Sequence, residues 1–158
     1  MKISTRKLKN AKVFYLGEAE PFGIISDTII DEYGKVAGYL VKTISIVPIS
    51  KIISVGDILK FDIGKVILSK SITPANSEHF KSKAGTNLVY AGSIKNTVEG
   101  EKRRGKLKDI RFDMETGEIY DLVVLKNIIA GKEEISVNKI SAKDNTIYIE
   151  KQCNSKEG

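Results

Sequence analysis

Gly23-Ile-Ile-Ser-Asp27-Thr-Ile-Ile-Asp31-Glu-Tyr-Gly34-Lys-Val36 and Gly105-Lys-Leu-Lys-Asp109-Ile-Arg-Phe-Asp113-Met-Glu-Thr-Gly117-Glu-Ile119 are one pattern written twice in a chain of 158 residues. Asp109 follows Asp27, and Asp113 follows Asp31, by 82 positions; Gly117 follows Gly34 by 83, so the second turn is one residue longer. A repeat of this period governs the fold, because each copy is a unit that needs its neighbour to bury an apolar face. Outward from the motif, Leu40-Val41 pairs with Val123-Val124, and Pro48-Ile-Ser-Lys-Ile52 with Ser136-Val-Asn-Lys-Ile140. Upstream, Val13-Phe14 pairs with Val89-Tyr90, which leaves an enlarged loop at 91–102 in the second copy.

The residues of the motif have a local physical reading. Asp31 and Asp113 open turns that close on Gly34 and Gly117, since an aspartate can accept from backbone two residues on and glycine enters positive φ without steric cost. Gly23 and Gly105 interrupt strand patterns, where a missing side chain marks a bulge or sharp bend. Asp27 and Asp109 stand four residues later. They read either as a pair of metal-binding or catalytic carboxylates or as acceptors for backbone N–H groups at the bend. The second reading is favoured, because no histidine, cysteine or third acid accompanies them.

Short runs rich in isoleucine, valine and aromatics predict strands over 13–16, 22–30, 35–42, 44–48, 58–61 and 65–68, separated by turn residues. Only 49–54 and 76–83 offer a helical turn. Without ten-residue crossover helices a parallel sheet is excluded, and strands of this length and spacing predict small barrels or sandwiches. The division expected is 1–70, a linker over 71–82, 83–152 and a polar tail at 153–158.

This pattern, a Gly-x-apolar-x-Asp-x-x-apolar-Asp turn closing on glycine, then a strand and apolar-x-Lys-Ile, resembles the PRC-barrel domain family. That family is named for the photosynthetic reaction-centre H subunit and also forms the C-terminal part of a ribosome-maturation factor. The resemblance spans both copies. It implies a mainly β fold of two tandem, small, bent antiparallel β-barrels packed with pseudo-two-fold symmetry, used for docking or assembly, with no shared catalytic residues.

Composition narrows the function further. Hydrophobic residues make up 41% and charged residues 29%, within the globular range. One histidine (His79) and one cysteine (Cys153) leave no internal disulfide and little for zinc or triad chemistry. No apolar run reaches membrane-spanning length and no signal peptide opens the chain, so a cytoplasmic protein without membrane insertion is expected. A Gly-x-x-x-x-Gly-Lys match at 100–106 lacks the Ser or Thr of a phosphate-binding loop, Leu107 standing there.

The formal charge of +6 is uneven. Lys2, Arg6, Lys7, Lys9 and Lys12 form one basic group; Lys102, Arg103, Arg104, Lys106 and Lys108 form another. Around the bend glycines the halves diverge: Phe22 and Ile24 in the first stand where Arg104 and Lys106 stand in the second. These positions are two unlike docking faces, or Phe22 and Ile24 pack against the other half and the basic copy is solvated. The expectation is a non-enzymatic adaptor with a protein partner, possible self-association, and neither cofactor nor metal. The alternative is an RNA- or ribosome-associated factor using Lys102–Lys108.

Overall fold

The two copies of the motif form the central strands of two sheets in a computed structural model that describes residues 1–62, 64–76, 80 and 87–150. The protein is mainly β, with two mixed sheets of seven strands each. In the first sheet β2 (Lys12–Tyr15), β3 (Gly23–Asp31), β4 (Val36–Thr43), β5 (Ser50–Ser54), β6 (Ile58–Asp62) and β7 (Lys65–Leu68) run in the order β5-β4-β3-β2-β7-β6. In the second, β9 (Asn96–Glu99), β10 (Lys102–Asp113), β11 (Ile119–Asn127), β12 (Gly131–Ser136), β13 (Ile140–Lys143) and β14 (Thr146–Ile149) run β12-β11-β10-β9-β14-β13. The orders are the same.

The seventh strand of each sheet comes from the other half. β1 (Lys2–Ser4) pairs antiparallel with β10, and β8 (Leu88–Tyr90) pairs antiparallel with β3. The short helix α1 (Thr5–Leu8) after β1, and the 3-10 turn Ala91–Ser93 after β8, are carried across with them. Ser4 caps α1 by accepting from Lys7 N–H at 3.2 Å. The exchange corrects the pairing of Val13 with Val89. Val89 lies opposite Ile30 as Ile3 lies opposite Phe112, while Val13 lies opposite Gly23 as Thr97 lies opposite Gly105. There is no enlarged loop at 91–102: β9 and β10 are a tight hairpin turning at Gly100-Glu101.

Further expectations change. Residues 44–48 form a loop rather than a strand, and 50–54 form a strand rather than a helical turn. β12 takes the place of β5, so Ile140 at the start of β13 is not the counterpart of Ile52. The sheets are not wholly antiparallel either, because β2 runs parallel to β7 and β9 parallel to β14. No closed barrel forms among the described strands; each hydrogen-bonded path stays open between its two edge strands. His79 and Cys153 lie outside the described residues, as does most of 76–83.

The turns of the two copies interlock. Asp31 Oδ1 accepts from Tyr33 N–H (2.9 Å) and Lys35 N–H (3.0 Å), and Asp113 Oδ1 from Glu115 N–H (2.8 Å) and Thr116 N–H (3.2 Å). Gly34 and Gly117 both have φ of +78°, as the turn chemistry requires. Val36 N–H donates to Gly117 O at 2.8 Å, and Lys35 bridges Glu118. A Cβ on Gly117 would lie 2.3 Å from Val36 O, and one on Gly34 2.6 Å from Ile140 O. Glycine here serves the turn and the contact between halves together.

A single apolar cluster runs through both halves, joining Ile3, Val36, Tyr39, Ile110, Phe112 and Ile140. The Tyr39 and Phe112 rings meet at 6.3 Å between centroids. The Tyr39 hydroxyl is buried with no hydrogen-bond partner among the described residues, and burial pushes its phenol well above the usual range. Residues 71–76 do not read as a free linker: Ala75 exchanges backbone bonds with Ile52, and Phe80 is buried beside Ile29 and Ile52.

Candidate docking surface

Asp27 and Asp109 sit where β3 and β10 bulge, between Ile25 and Asp27 and between Leu107 and Asp109. The bulge turns each carboxylate toward the segment donated by the other half. Asp27 Oδ1 accepts from its neighbour Thr28 N–H (2.8 Å) and from Gly92 N–H (3.0 Å). Asp109 Oδ1 accepts from Ile110 N–H (2.8 Å), Arg6 N–H (3.2 Å) and Thr5 Oγ1–H (2.9 Å). Both carboxylates accept backbone N–H bonds, and the donors come from the exchanged segments as well as the bend. Asp113 is held below the usual carboxylate range by the Glu115 and Thr116 N–H groups, with the Met1 ammonium 3.7 Å away. Among the described residues no cluster of three or more His, Cys, Asp or Glu could hold a metal ion.

The second basic group does not survive as one face. A further bulge between Arg103 and Gly105 shifts the alternation of β10. Arg104 turns to Glu99 and Glu133, reaching Glu133 Oε1 at 2.5 Å, and these bonds raise its pKa and lower that of Glu133. Arg103 donates to Asn96 Oδ1 at 3.2 Å. Lys102 is exposed on the hairpin end, while Lys106 and Lys108 face elsewhere. Gly105 closes against β11, where a Cβ would lie 2.6 Å from Leu125 O; at Gly23 a Cβ would lie 2.8 Å from Lys42 O. Phe22 stacks its ring on Tyr15 of the same half at 4.8 Å and packs against the apolar cluster. Ile24 lines a shallow cleft with Asn10, Lys42, Ile44 and Pro48.

Lys106 and Lys108 instead join the first basic group. A cleft of about 390 Å³ lies between residues 25–28 of β3 and 106–110 of β10. Among the described residues its cations are Arg6, Lys9, Lys95, Lys106 and Lys108, and its acids are the hydrogen-bonded Asp27 and Asp109. A second cleft of about 410 Å³ adjoins it, shares Arg6, Lys9 and Lys108, and adds Lys132 and Asn10. None of these six cations is in an ion pair among the described residues. The grouping was invisible in sequence because it depends on α1 crossing to β10.

Two loops are rooted beside these clefts. The β4–β5 loop, Ile44-Ser-Ile-Val-Pro-Ile49, and the β11–β12 loop, Ile128-Ile-Ala130, occupy equivalent places and carry no charge. Ile46 and Val47 are 101% and 73% exposed, and Ile128 and Ile129 are 93% and 99% exposed. Internal bonds shape the loops: Ser45 Oγ–H donates to Val47 O at 2.7 Å, and Ala130 N–H to Asn127 Oδ1 at 2.6 Å. The hairpins meet at their turns. The root of the first loop shares one cleft with Asn10, and Asn10 shares another with Lys132 at the root of the second. No family model matches the chain, and no curated protein matches it.

Proposed function

We propose that the chain is a non-enzymatic docking protein of PRC-barrel type, holding an assembly partner with its two apolar loops and the basic cleft between them. The observation that carries the reading is the exposure of Ile46, Val47, Ile128 and Ile129 at equivalent loops. Aliphatic side chains left wholly in water add nothing to this fold, and exposed apolar groups rimmed by polar ones mark interaction sites. The PRC-barrel reading, with pseudo-two-fold related units, is supported by the repeated motif, the matching strand orders and the paired bulges. The motif acids are engaged in backbone bonds, which supports a structural rather than a chemical duty for them.

A protein surface is one that can meet the loops and the cleft together. A second reading, RNA, is favoured by the six cations gathered in adjoining clefts, which would track a phosphate backbone. No aromatic ring among the described residues lines either cleft, so RNA would be held without base stacking. Affinity capture from native lysate, with and without ribonuclease, using wild type and Ile46→Asp/Ile129→Asp, tests both. Docking through the loops predicts a stoichiometric partner that the double variant loses. Capture unchanged by the variant refutes loop docking, and capture abolished by ribonuclease moves the function to the cleft.

A further inference from the structure

We propose that the surface met by the loop-and-cleft side is an anionic lipid bilayer, so that the protein docks at a membrane face. This rests on the docking reading above and names the chemistry of what is docked upon. Two features of one side must be matched together. The loops offer four aliphatic side chains with no charge among them, and the ground between offers Arg6, Lys9, Lys95, Lys106, Lys108 and Lys132. Nucleic acid satisfies the cations but gives the isoleucines no apolar phase. A folded protein partner would need two hydrophobic pockets spaced around an acidic ridge. A bilayer with anionic headgroups supplies both at once, apolar depth for the tips and negative charge for the cleft.

The chemistry of the tips fits shallow entry. Each loop meets the surface with aliphatic side chains at its apex, while lysines stand further back: Lys42 before the first loop and Lys132 after the second. The loop backbone is braced by Thr43, Ser45 and Asn127 side chains, so the apolar apex is preformed. No helix of the described residues is long and apolar enough to cross a membrane. Surface docking needs none: two apolar tips with a basic rim combine the two weak signals that together hold a protein on a bilayer.

Co-sedimentation of the intact chain with vesicles of phosphatidylcholine alone, and of phosphatidylcholine with phosphatidylglycerol, tests the proposal. Binding is expected only to the anionic vesicles and should weaken as salt rises. Each cleft cation neutralised, as in Lys9→Gln or Lys132→Gln, should weaken it roughly fivefold, and Ile46→Asp/Ile129→Asp by tenfold or more. These side chains lie at the surface, so no variant should unfold at a lower temperature than wild type. Absence of binding to anionic vesicles overturns the proposal, as does binding that the loop variant leaves intact or equal binding to neutral vesicles. If wild type ignores vesicles but the loop variant loses a captured protein, docking stands and the lipid assignment falls. If the variant loses neither, both fall.

Discussion

Substituting Gly117 by alanine isolates the contact between the two halves. At φ of +78° an alanine costs roughly 1 kcal/mol for its left-handed backbone. Its Cβ would also stand 2.3 Å from Val36 O and 3.3 Å from Val36 C, backbone atoms that no rotamer change can move aside. Relief requires the turns to separate, which breaks the 2.8 Å bond from Val36 N–H to Gly117 O and loosens the neighbouring packing of Gly34 on Ile140. A lost buried hydrogen bond adds about 1 kcal/mol, and the disturbed packing about 1–2 more, for a total near 3–4 kcal/mol. The control is Gly131→Ala, with φ of +75° and nothing within 4 Å of its would-be Cβ. It pays only the backbone term. Urea unfolding of both variants, followed by tyrosine fluorescence, reads the difference as a shift in midpoint at constant slope. If Gly117→Ala lies within about 0.5 kcal/mol of Gly131→Ala, the turns do not pack across the halves and the reasoning is wrong.

Tyr39→Phe removes a buried hydroxyl that has no partner among the described residues, so stability should stay unchanged or rise by about 1 kcal/mol, whereas a loss above that in thermal unfolding would reveal a bond to that oxygen. Acid should destabilise the fold through Asp113 and Glu133: both carboxyls are lowered in the folded state, so it binds fewer protons than the unfolded chain. Their contribution is full above the ordinary carboxylate pKa of about 4 and fades as pH falls through the lower folded values. Urea midpoints across that range, compared with those of Asp113→Asn, should show a weaker acid slope in the variant; identical slopes would exclude Asp113.

The features legible in sequence were those whose physics is local. Asp31, Gly34, Asp113 and Gly117 close their turns through bonds to residues two to four positions away, and that chemistry can be read from the letters alone. Bends in the central strands were also legible, although in β3 the bulge falls at Ile25–Asp27 rather than at Gly23 itself. Pairing across halves was not. Nothing in Lys2–Ser4 or Leu88–Tyr90 distinguishes a strand that joins its own sheet from one that joins the other, because β-pairing is decided by which edge is open in the assembled fold. The charged face failed for a related reason. Strict alternation put Arg104, Lys106 and Lys108 together, but the bulge after Arg103 broke the period and delivered Arg104 to Glu99 and Glu133. The first apolar loop was misread because a run of Ile, Val and Pro at 44–48 satisfies strand composition while leaving open whether a neighbour covers it.

The exchange of β1 and β8 accounts for the cleft's charge. By register, Lys106 and Lys108 of β10 stand where Ile24 and Ser26 stand in β3. Arg6 in α1 likewise stands where Gly92 stands in the 3-10 turn, while Lys9 matches Lys95. Had each segment stayed with its own half, Arg6 and Lys9 would have lain over Ile24 and Ser26 rather than beside Lys106 and Lys108. Crossing over sets the more basic segment against the more basic strand. Gathering five unpaired cations around two engaged carboxylates raises the energy of the isolated protein through mutual repulsion, most strongly at low ionic strength. That repulsion works against folding and is relieved by an anionic surface. The two halves differ most where the charge collects, and they agree where the turns interlock: the shared residues hold the fold, and the divergent ones shape what it meets.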